Sequence, residues 1–530
     1  MATGWDPLVE SIVVDHQDFS LFNQVARAYE YVTELTNRAM VLDQDLSCHT
    51  RHDNGSQYET SQNQRSSCPD DMSSLICDMS ESMTSKCHRR NFLIRNIIIC
   101  MRAHFPDYRS EIPQASPSLF RDDVASPKDI DWPGTVSTAL NETAPATALN
   151  LLGSGPRAIS CPELGDGRVV LPRFREARQV LRSDVFVCAP LADGALDGFP
   201  KDVRHVLEPV RSWALYSDPP THPRLRKHLS RALAPLNNPA LAGSIRANAR
   251  HLLTSVVRRG TGDAVSDIAV PLPITTISDL LGLPSSDREL LKEWSDDLIA
   301  IIEPELTPDQ AGRVHQAWTN LWDYFSQIVD QRRATPGDDA ISLLVTGREQ
   351  SSGLSQRELV SNCISLLLGG HETTTSLLAS LLLELGRRPD LRVQLVEDPN
   401  LIPGFVEEVL RTNGPSKITA RQARREVQLG GYCIEAGQRV VLLLSAAGRD
   451  PDVFESPQTF ALRRRPNTHL GFGHGAHACF GAALARLQAR ILIEEFLSPE
   501  HELDVNIESV VWQQSQVLRS ASRLAVRRNP

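Results

Sequence analysis

The segment His469-Leu-Gly-Phe-Gly-His-Gly-Ala-His-Ala-Cys-Phe-Gly481 holds the densest chemistry in the chain. Gly471, Gly473 and Gly475 permit tight backbone bends, which let a flat ligand approach the main chain closely. The segment runs into an apolar-periodic stretch, Ala482 to Phe496. Cys479 is therefore expected at a helix N-terminus, where the dipole and unpaired N–H groups favour a thiolate over a thiol. A thiolate held by a glycine-rich loop suits axial ligation of haem iron, and its electron donation favours O–O cleavage. A lone cysteine is more often an inert core residue, but the pattern F-G-x-G-x-H-x-C-x-G is too long and specific for that.

A second cluster, Leu368-Gly-Gly-His-Glu-Thr-Thr-Thr375, lies inside a long helical pattern from Ser355 to Leu385. Each glycine costs a helix interior about 1 kcal/mol relative to alanine, so two in a row point to a local function. Gly369 and Gly370 are expected to leave space beside the helix, with Glu372 and Thr373 as an acid and alcohol pair suited to delivering protons. Glu408-Val-Leu-Arg411 places two opposite charges on one helix face. In Ser217-Asp-Pro-Pro-Thr-His-Pro-Arg-Leu-Arg226, the spacing of four puts His222 and Arg226 on one face, and the double proline marks the helix start. Thr419-Ala-Arg421 offers Arg421 to a carboxylate, to which arginine donates charge-assisted bonds. Each of these basic residues alone could be a solvated charge.

Taken in order, these segments resemble the cytochrome P450 family in its soluble bacterial-type form. The resemblance runs from about Asn150 to the C-terminus and implies a P450-like fold, mainly α with a small β portion. It makes Cys479 the iron ligand, assigns His222, Arg226, Arg421 and His477 to the haem propionates, and places Phe472 at the cofactor. Gly369, Glu372 and Thr373 become the catalytic group. Gly369 stands where the family more often has alanine, and His371, common in the motif, is not taken as a ligand. Arg464 aligns as third member of the Glu408–Arg411 unit, with Arg463 and Arg465 as competing choices. Gly448-Arg-Asp450 departs from the family's usual asparagine before Arg-Asp.

The implied activity is monooxygenation: one atom of O2 enters an apolar small molecule, by hydroxylation or epoxidation, in secondary metabolism. The cofactor is haem b, with electrons from NAD(P)H through a separate ferredoxin and ferredoxin reductase docking on the Arg-rich cysteine side. A monomer is expected. A peroxide-dependent peroxygenase and a catalytically silent haem-binding recruiter remain open readings. The pocket-wall segments are mostly small or aliphatic, which favours a medium-sized greasy metabolite such as a terpenoid, polyketide or peptide intermediate.

The elements that must position these groups follow from pattern. Helices are expected over Asn237–Val257, Ser285–Ile302, Pro308–Arg332, Ser355–Leu385, Pro403–Arg411, Ala482–Phe496 and the short Arg175–Ser183, with strands over Arg168–Arg173, within Ile418–Leu444 and near the C-terminus. They form one domain over 131–530. Residues 1–130 are an extension of unknown role, partly disordered, with a helix at Phe19–Leu42 and a polar linker at Ser47–Arg90. The chain has 530 residues and a formal net charge of −10, so no strong field attracts nucleic acid. Its 10 cysteines are too sparse for a disulfide scaffold, and the five between Cys48 and Cys100 show no C-x-x-C spacing. No secretory signal is evident at the N-terminus, and the apolar run Phe92–Met101 is too short to cross a bilayer. A cytoplasmic protein without a transmembrane segment is expected.

Overall fold

The computed structural model describes residues 130–529, apart from 141–145, 162–167, 189–195, 197–198, 201–203, 205, 234–238, 304–305 and 347–352. The expected helix at Phe19–Leu42, the polar linker and the five early cysteines lie outside the described residues. The chain divides into Met1–Arg121 and Asp122–Pro530, and the account below concerns the second unit. Its helices are α1 (Trp132–Leu140), α2 (Ala146–Ser154), α3 (Phe174–Arg182), α4 (Thr221–Ala232), α5 (Pro239–Arg259), α6 (Pro271–Leu281) and α7 (Arg288–Leu298). They continue with α8 (Pro308–Ala334), α9 (Ala340–Thr346), α10 (Gln356–Arg387), α11 (Pro389–Glu397), α12 (Ile402–Asn413), the single turn α13 (Leu444–Ala447) and α14 (Ala482–Phe496).

Helix α10 organises the domain. Its sequence is apolar on every side between Leu359 and Leu385, and nearly all of that stretch is buried, as a helix without a polar face must be. A capping box of Ser355 and Glu358 starts it. Helices α6, α7, α8, α12 and α14 all pack against it, and the largest apolar cluster, with Trp213, Trp318, Phe325, Phe405 and Phe496, surrounds it.

The strands are β1 (Ile159–Cys161), β2 (Arg168–Leu171), β3 (Phe186–Val187), β4 (Thr261–Asp263), β5 (Ile418–Ala423), β6 (Val427–Leu429), β7 (Tyr432–Ile434), β8 (Arg439–Leu443), β9 (Leu503–Val505), β10 (Val511–Trp512), β11 (Ala521–Arg523) and β12 (Ala525–Arg528). The main sheet has the order β1-β2-β8-β5-β3. Strands β2 and β8 are parallel, with Val169 opposite Val440, whereas β5 runs antiparallel to β8, with Arg421 opposite Val440. This register fixes Arg421 in the middle of a buried sheet. A second apolar cluster fills the space between this sheet and α3, where Phe174 and Phe454 meet edge to face at 5.7 Å.

The expected mainly helical architecture with a small β portion is the observed one. Helix α14 has the expected bounds, α8 starts at the expected residue and runs two residues further, and α5 and α10 differ from expectation by one or two residues at each end. The expected helix Ser285–Ile302 is instead split into a 3-10 turn, α7 and a second 3-10 turn, and the strand expected to reach Arg173 ends at Leu171. Helix α6, which begins at Pro271 and has a second proline at 273, is not among the expected helices. Both prolines lie in its first turn, where a missing N–H leaves no bond unmade.

Glu408 and Arg411 on α12 are not the surface pair that such spacing usually means. Both are fully buried, and they bond at 2.7 Å through both carboxylate oxygens. Arg464 donates to the same carboxylate at 3.0 Å, as do the Ala461 N–H and Asn467. Arg464, not Arg463 or Arg465, is therefore the third member, and the network pins α12 to the chain that leads into the cysteine loop. The Gly448 carbonyl accepts from Arg411 Nη1 at 2.8 Å, and the residue must be small: a Cβ there would stand 2.1 Å from the Arg411 carbonyl oxygen. That close approach accounts for glycine where asparagine is more usual.

Candidate functional site

The cysteine loop is shaped by backbone that only glycine adopts freely. Gly473 and Gly475 have φ of 67° and 72°, and a Cβ on Gly475 would lie 2.3 Å from the Leu181 carbonyl oxygen of α3. The Cys479 N–H donates to the Phe472 carbonyl at 2.9 Å and closes the loop. Gly481, the N-cap of α14, supplies no side-chain cap. The N–H groups of Gly481 and Ala482 instead serve the Cys479 sulfur. The sulfur is exposed, but enough protein surrounds it that burial raises the thiol pKa, outweighing these N–H groups and the charges of Arg226 and Arg486. The helix-terminal N–H groups act in the expected direction but are outweighed by burial in the polypeptide alone, and a cation held at the sulfur would favour the thiolate. Phe472 and Phe480 flank the cysteine in the loop, with the Arg486 guanidinium 4.5 Å from the Phe472 ring and that of Arg226 5.7 Å from Phe480.

The residues expected to grip carboxylates do converge. His222 is buried near the start of α4, and its ring stacks on that of His477 at 3.9 Å. Burial, then Arg226 and Arg421, hold the His222 pKa below its ordinary value. Burial, His222 and Arg421 push His477 down to about 3. Two imidazoles and two guanidinium groups thus crowd one place, and Asp218 is the acid that opposes them. Asp218 is itself spent on the Cys188 N–H, accepting it at 3.1 Å through each oxygen. The Cys188 sulfur lies 3.6 Å from His477, and its thiol is pushed up to about 11 by burial. Sequence reading missed Cys188, since no spacing relates it to position 477.

On α10 the structure separates the two glycines. Gly369 is exposed in the middle of the buried helix, and a Cβ built on it meets nothing within 4 Å. At Gly370 a Cβ would stand 2.8 Å from Ile277 of α6. Only Gly369 opens a space; Gly370 serves the close packing of α6 on α10, contrary to the expectation for the pair. Thr373, partly accessible, donates its hydroxyl to the Gly369 carbonyl at 2.8 Å. Glu372 is buried, with Oε1 3.1 Å from Nδ1 of His371. Neither that oxygen nor His371 Nε2 has a hydrogen-bond partner among the described residues.

Two more residues belong here that the sequence did not reveal. Asp296 of α7 comes within 4.8 Å of both His371 and Glu372. Its carboxyl is raised to about 6, chiefly by burial and by the Glu372 charge, against the opposing pull of Lys292. Glu372 is held below its ordinary value despite its burial, because His371 and then Asp296 stabilise its charge. Lys292 and Asp296 are an i, i+4 pair on a half-exposed face. The group therefore connects the acid inside α10 to the surface of α7.

These parts fit an iron porphyrin carrying two carboxylates. The sulfur is accessible, a cluster of four basic groups faces one already engaged acid, and the long buried helix has one open position beside orphaned polar atoms. Comparison with known proteins agrees. Residues 288–509 match the family model described as Cytochrome P450. The chain is 36% identical over 340 residues to the biotin biosynthesis cytochrome P450 of Bacillus subtilis, covering 64% of this chain and 84% of that one. It is 33% identical over 370 residues to the mycinamicin IV hydroxylase/epoxidase of Micromonospora griseorubida, covering 69% and 90%. Among solved structures, P450BioI in complex with an acyl carrier protein ligated to hexadec-9Z-enoic acid superposes with a TM-score of 0.65 at 30% identity, covering 73% of this chain and 99% of that one. The chain belongs to the cytochrome P450 family and is a haem-dependent monooxygenase.

Proposed function

We propose that this monooxygenase holds haem b through the Cys479 sulfur, with His222, Arg226, Arg421 and His477 binding the propionates and Phe472 packing beside the cofactor. The bound haem supplies activation of O2 and transfer of one oxygen atom to substrate. The chain's own residues orient the cofactor and move protons. The basic cluster fixes the carboxylate edge of the ring. Gly369 keeps space open on α10. Thr373 presents a hydroxyl already aligned by the Gly369 carbonyl, and Glu372 stands next to it in the chain as the proton source. The observation that carries this reading is the meeting of two arginines and two stacked histidines at a place where Asp218, already engaged by the Cys188 N–H, is the opposing acid.

The substrate is an apolar metabolite of medium size, of the polyketide, terpenoid or peptide kind, hydroxylated or epoxidised. Support comes from a relative named as a hydroxylase/epoxidase of mycinamicin IV and from another named as the cyclomarin C epoxidase of Salinispora arenicola. Electrons come from NAD(P)H through a ferredoxin reductase and a ferredoxin that docks at the cysteine face. Arg178 of α3, 3.4 Å from His474 of the loop, and nearby Arg182 give that face positive charge. The segment Arg463–Arg465 contributes less, because Arg464 is spent on Glu408 and Arg463 on Asp398. The enzyme works as a cytoplasmic monomer; among the described residues no helix is long and apolar enough to cross a membrane.

The test is a carbon monoxide difference spectrum of the reduced protein. The long-wavelength band of thiolate ligation is expected in the native chain and absent from Cys479→Ala. An unchanged spectrum in that variant refutes the assignment of the sulfur.

A further inference from the structure

Glu407, the residue beside the buried Glu408, reaches in the other direction, and nothing in its spacing marks it. It accepts two bonds from Arg486 of α14, at 2.7 and 2.8 Å, the two-pronged contact that arginine and a carboxylate favour. Its third partner is Nε2 of His469, at 2.9 Å. Nδ1 of His469 accepts the Gly471 N–H at 3.1 Å, so the ring proton sits on Nε2 and is donated to Glu407. The two partners bracket the cysteine: His469 opens the loop, and Arg486 lies in the helix that follows it. Glu407 therefore clasps both ends of the loop from α12, which the Glu408 network anchors to the preceding chain.

The clasp also carries charge to the sulfur. Arg486 lies over the Phe472 ring, whose carbonyl takes the Cys479 N–H, and its charge and that of Cys479 act on each other. Glu407 offsets that positive charge. We propose that Glu407 is a positioning residue for Cys479: it holds the loop through His469 and Arg486, and by balancing Arg486 it sets the ferric/ferrous potential of the bound iron. The inference rests on Cys479 being the iron ligand. Charge near the sulfur and hydrogen bonding around it are the means by which a protein tunes such a potential.

The signs follow from the charges. Removing the carboxylate leaves Arg486 unopposed, which favours the more electron-rich ferrous state; removing the guanidinium does the reverse. Potentiometric titration of the full-length haem-loaded protein is expected to show a positive midpoint shift in Glu407→Gln, a negative shift in Arg486→Met, and a midpoint near the native one in the double variant. Both single shifts shrink at high salt, because Glu407 and Arg486 line a groove open to solvent between α12 and α14. A merely structural contact lowers haem content in both variants without opposed shifts in the fraction that keeps the thiolate band. Native-like midpoints in both single variants, or shifts of the same sign, overturn the proposal while leaving the cysteine assignment standing. Absence of the band from the native chain overturns that assignment instead. If Arg486→Met does not take up haem, Arg486→Gln provides the same loss of charge with a side chain that still reaches Glu407.

Discussion

Arg463, Arg464 and Arg465 are one run of like residues in the sequence, yet the structure assigns very different consequences to losing the first two. The Arg463 side chain is 76% exposed and meets Asp398 at 3.0 Å. A surface pair of this kind contributes about 0–1 kcal/mol. The Arg464 side chain is 8% exposed, and its Nε donates to the Glu408 carboxylate, which is 0% exposed. Arg464→Ala removes the charge-assisted bond to Glu408, a loss of about 1.5–3 kcal/mol, together with bonds to the carbonyls of Glu455, Ser456 and Thr459, but leaves Glu408 paired with Arg411. Glu408→Gln goes further, since it takes the shared carboxylate from two guanidinium groups in a buried setting, and breaking a buried pair from one side costs about 3–5 kcal/mol. The expected order of destabilisation is Arg463→Ala, then Arg464→Ala, then Glu408→Gln. Urea unfolding of haem-saturated protein, followed by far-UV circular dichroism at matched cofactor concentration, measures it. A loss in Glu408→Gln below about 1 kcal/mol, or equal losses in the two arginine variants, refutes the reasoning.

Thr373→Ala removes the hydroxyl bonded to Gly369 and is expected to raise peroxide release at the expense of product, read as product formed per O2 consumed; a peroxide-dependent enzyme shows little change. Gly369→Ala adds a methyl where nothing lies within 4 Å, so it is expected to stabilise the helix by up to about 1 kcal/mol while weakening substrate binding in spectral titrations. Gly370→Ala, pressed against Ile277, is expected to destabilise by about 1–3 kcal/mol instead. Asp296 has its carboxyl raised to about 6, so it is protonated below that pH and ionises as pH rises through it. Asp296→Asn is expected to abolish an inflection near pH 6 in turnover and to slow turnover by less than the ~100-fold that losing a general acid outright entails. Haem whose propionates are methyl esters is expected to bind more weakly by about 1.5–3 kcal/mol for each carboxylate masked, measured by competition with unmodified haem.

Legibility in the sequence followed how local each requirement was. The cysteine loop, the motif on α10 and the His222–Arg226 pair each lie within one short segment, and their chemistry dictates residue types at fixed spacing. The whole of α14 was legible because an uninterrupted apolar period follows the loop. What stayed hidden depends on elements far apart in the chain. Asp296 reaches Glu372 because α7 packs on α10, and Glu407 reaches the loop because α12 packs on α14. The two adjacent glycines looked equivalent in sequence, and only the position of Ile277 distinguishes them. The surroundings of Cys479 divide in the same way: the helix terminus is written in the sequence, whereas the surrounding protein that desolvates the sulfur is tertiary.

Several features of the site oppose the stability of the chain that carries it. The basic cluster repels itself, Gly369 weakens the central helix α10, and among the described residues His371 Nε2 is buried without a hydrogen-bond partner. Each is a local conflict of the kind that natural folds keep where function requires it. The compensation lies close by but in different residues: the saturated Glu408 network on one side of the loop, the Glu407 clasp along it, and the continuous apolar surface of α10. An anionic ligand with a metal centre would relieve the first of these conflicts, because its carboxylates would neutralise the cluster, and its cation would favour a thiolate at Cys479. The residues proposed to hold the cofactor are therefore distinct from those that keep the polypeptide folded around it, and binding stabilises the fold by relieving the conflict in the first set.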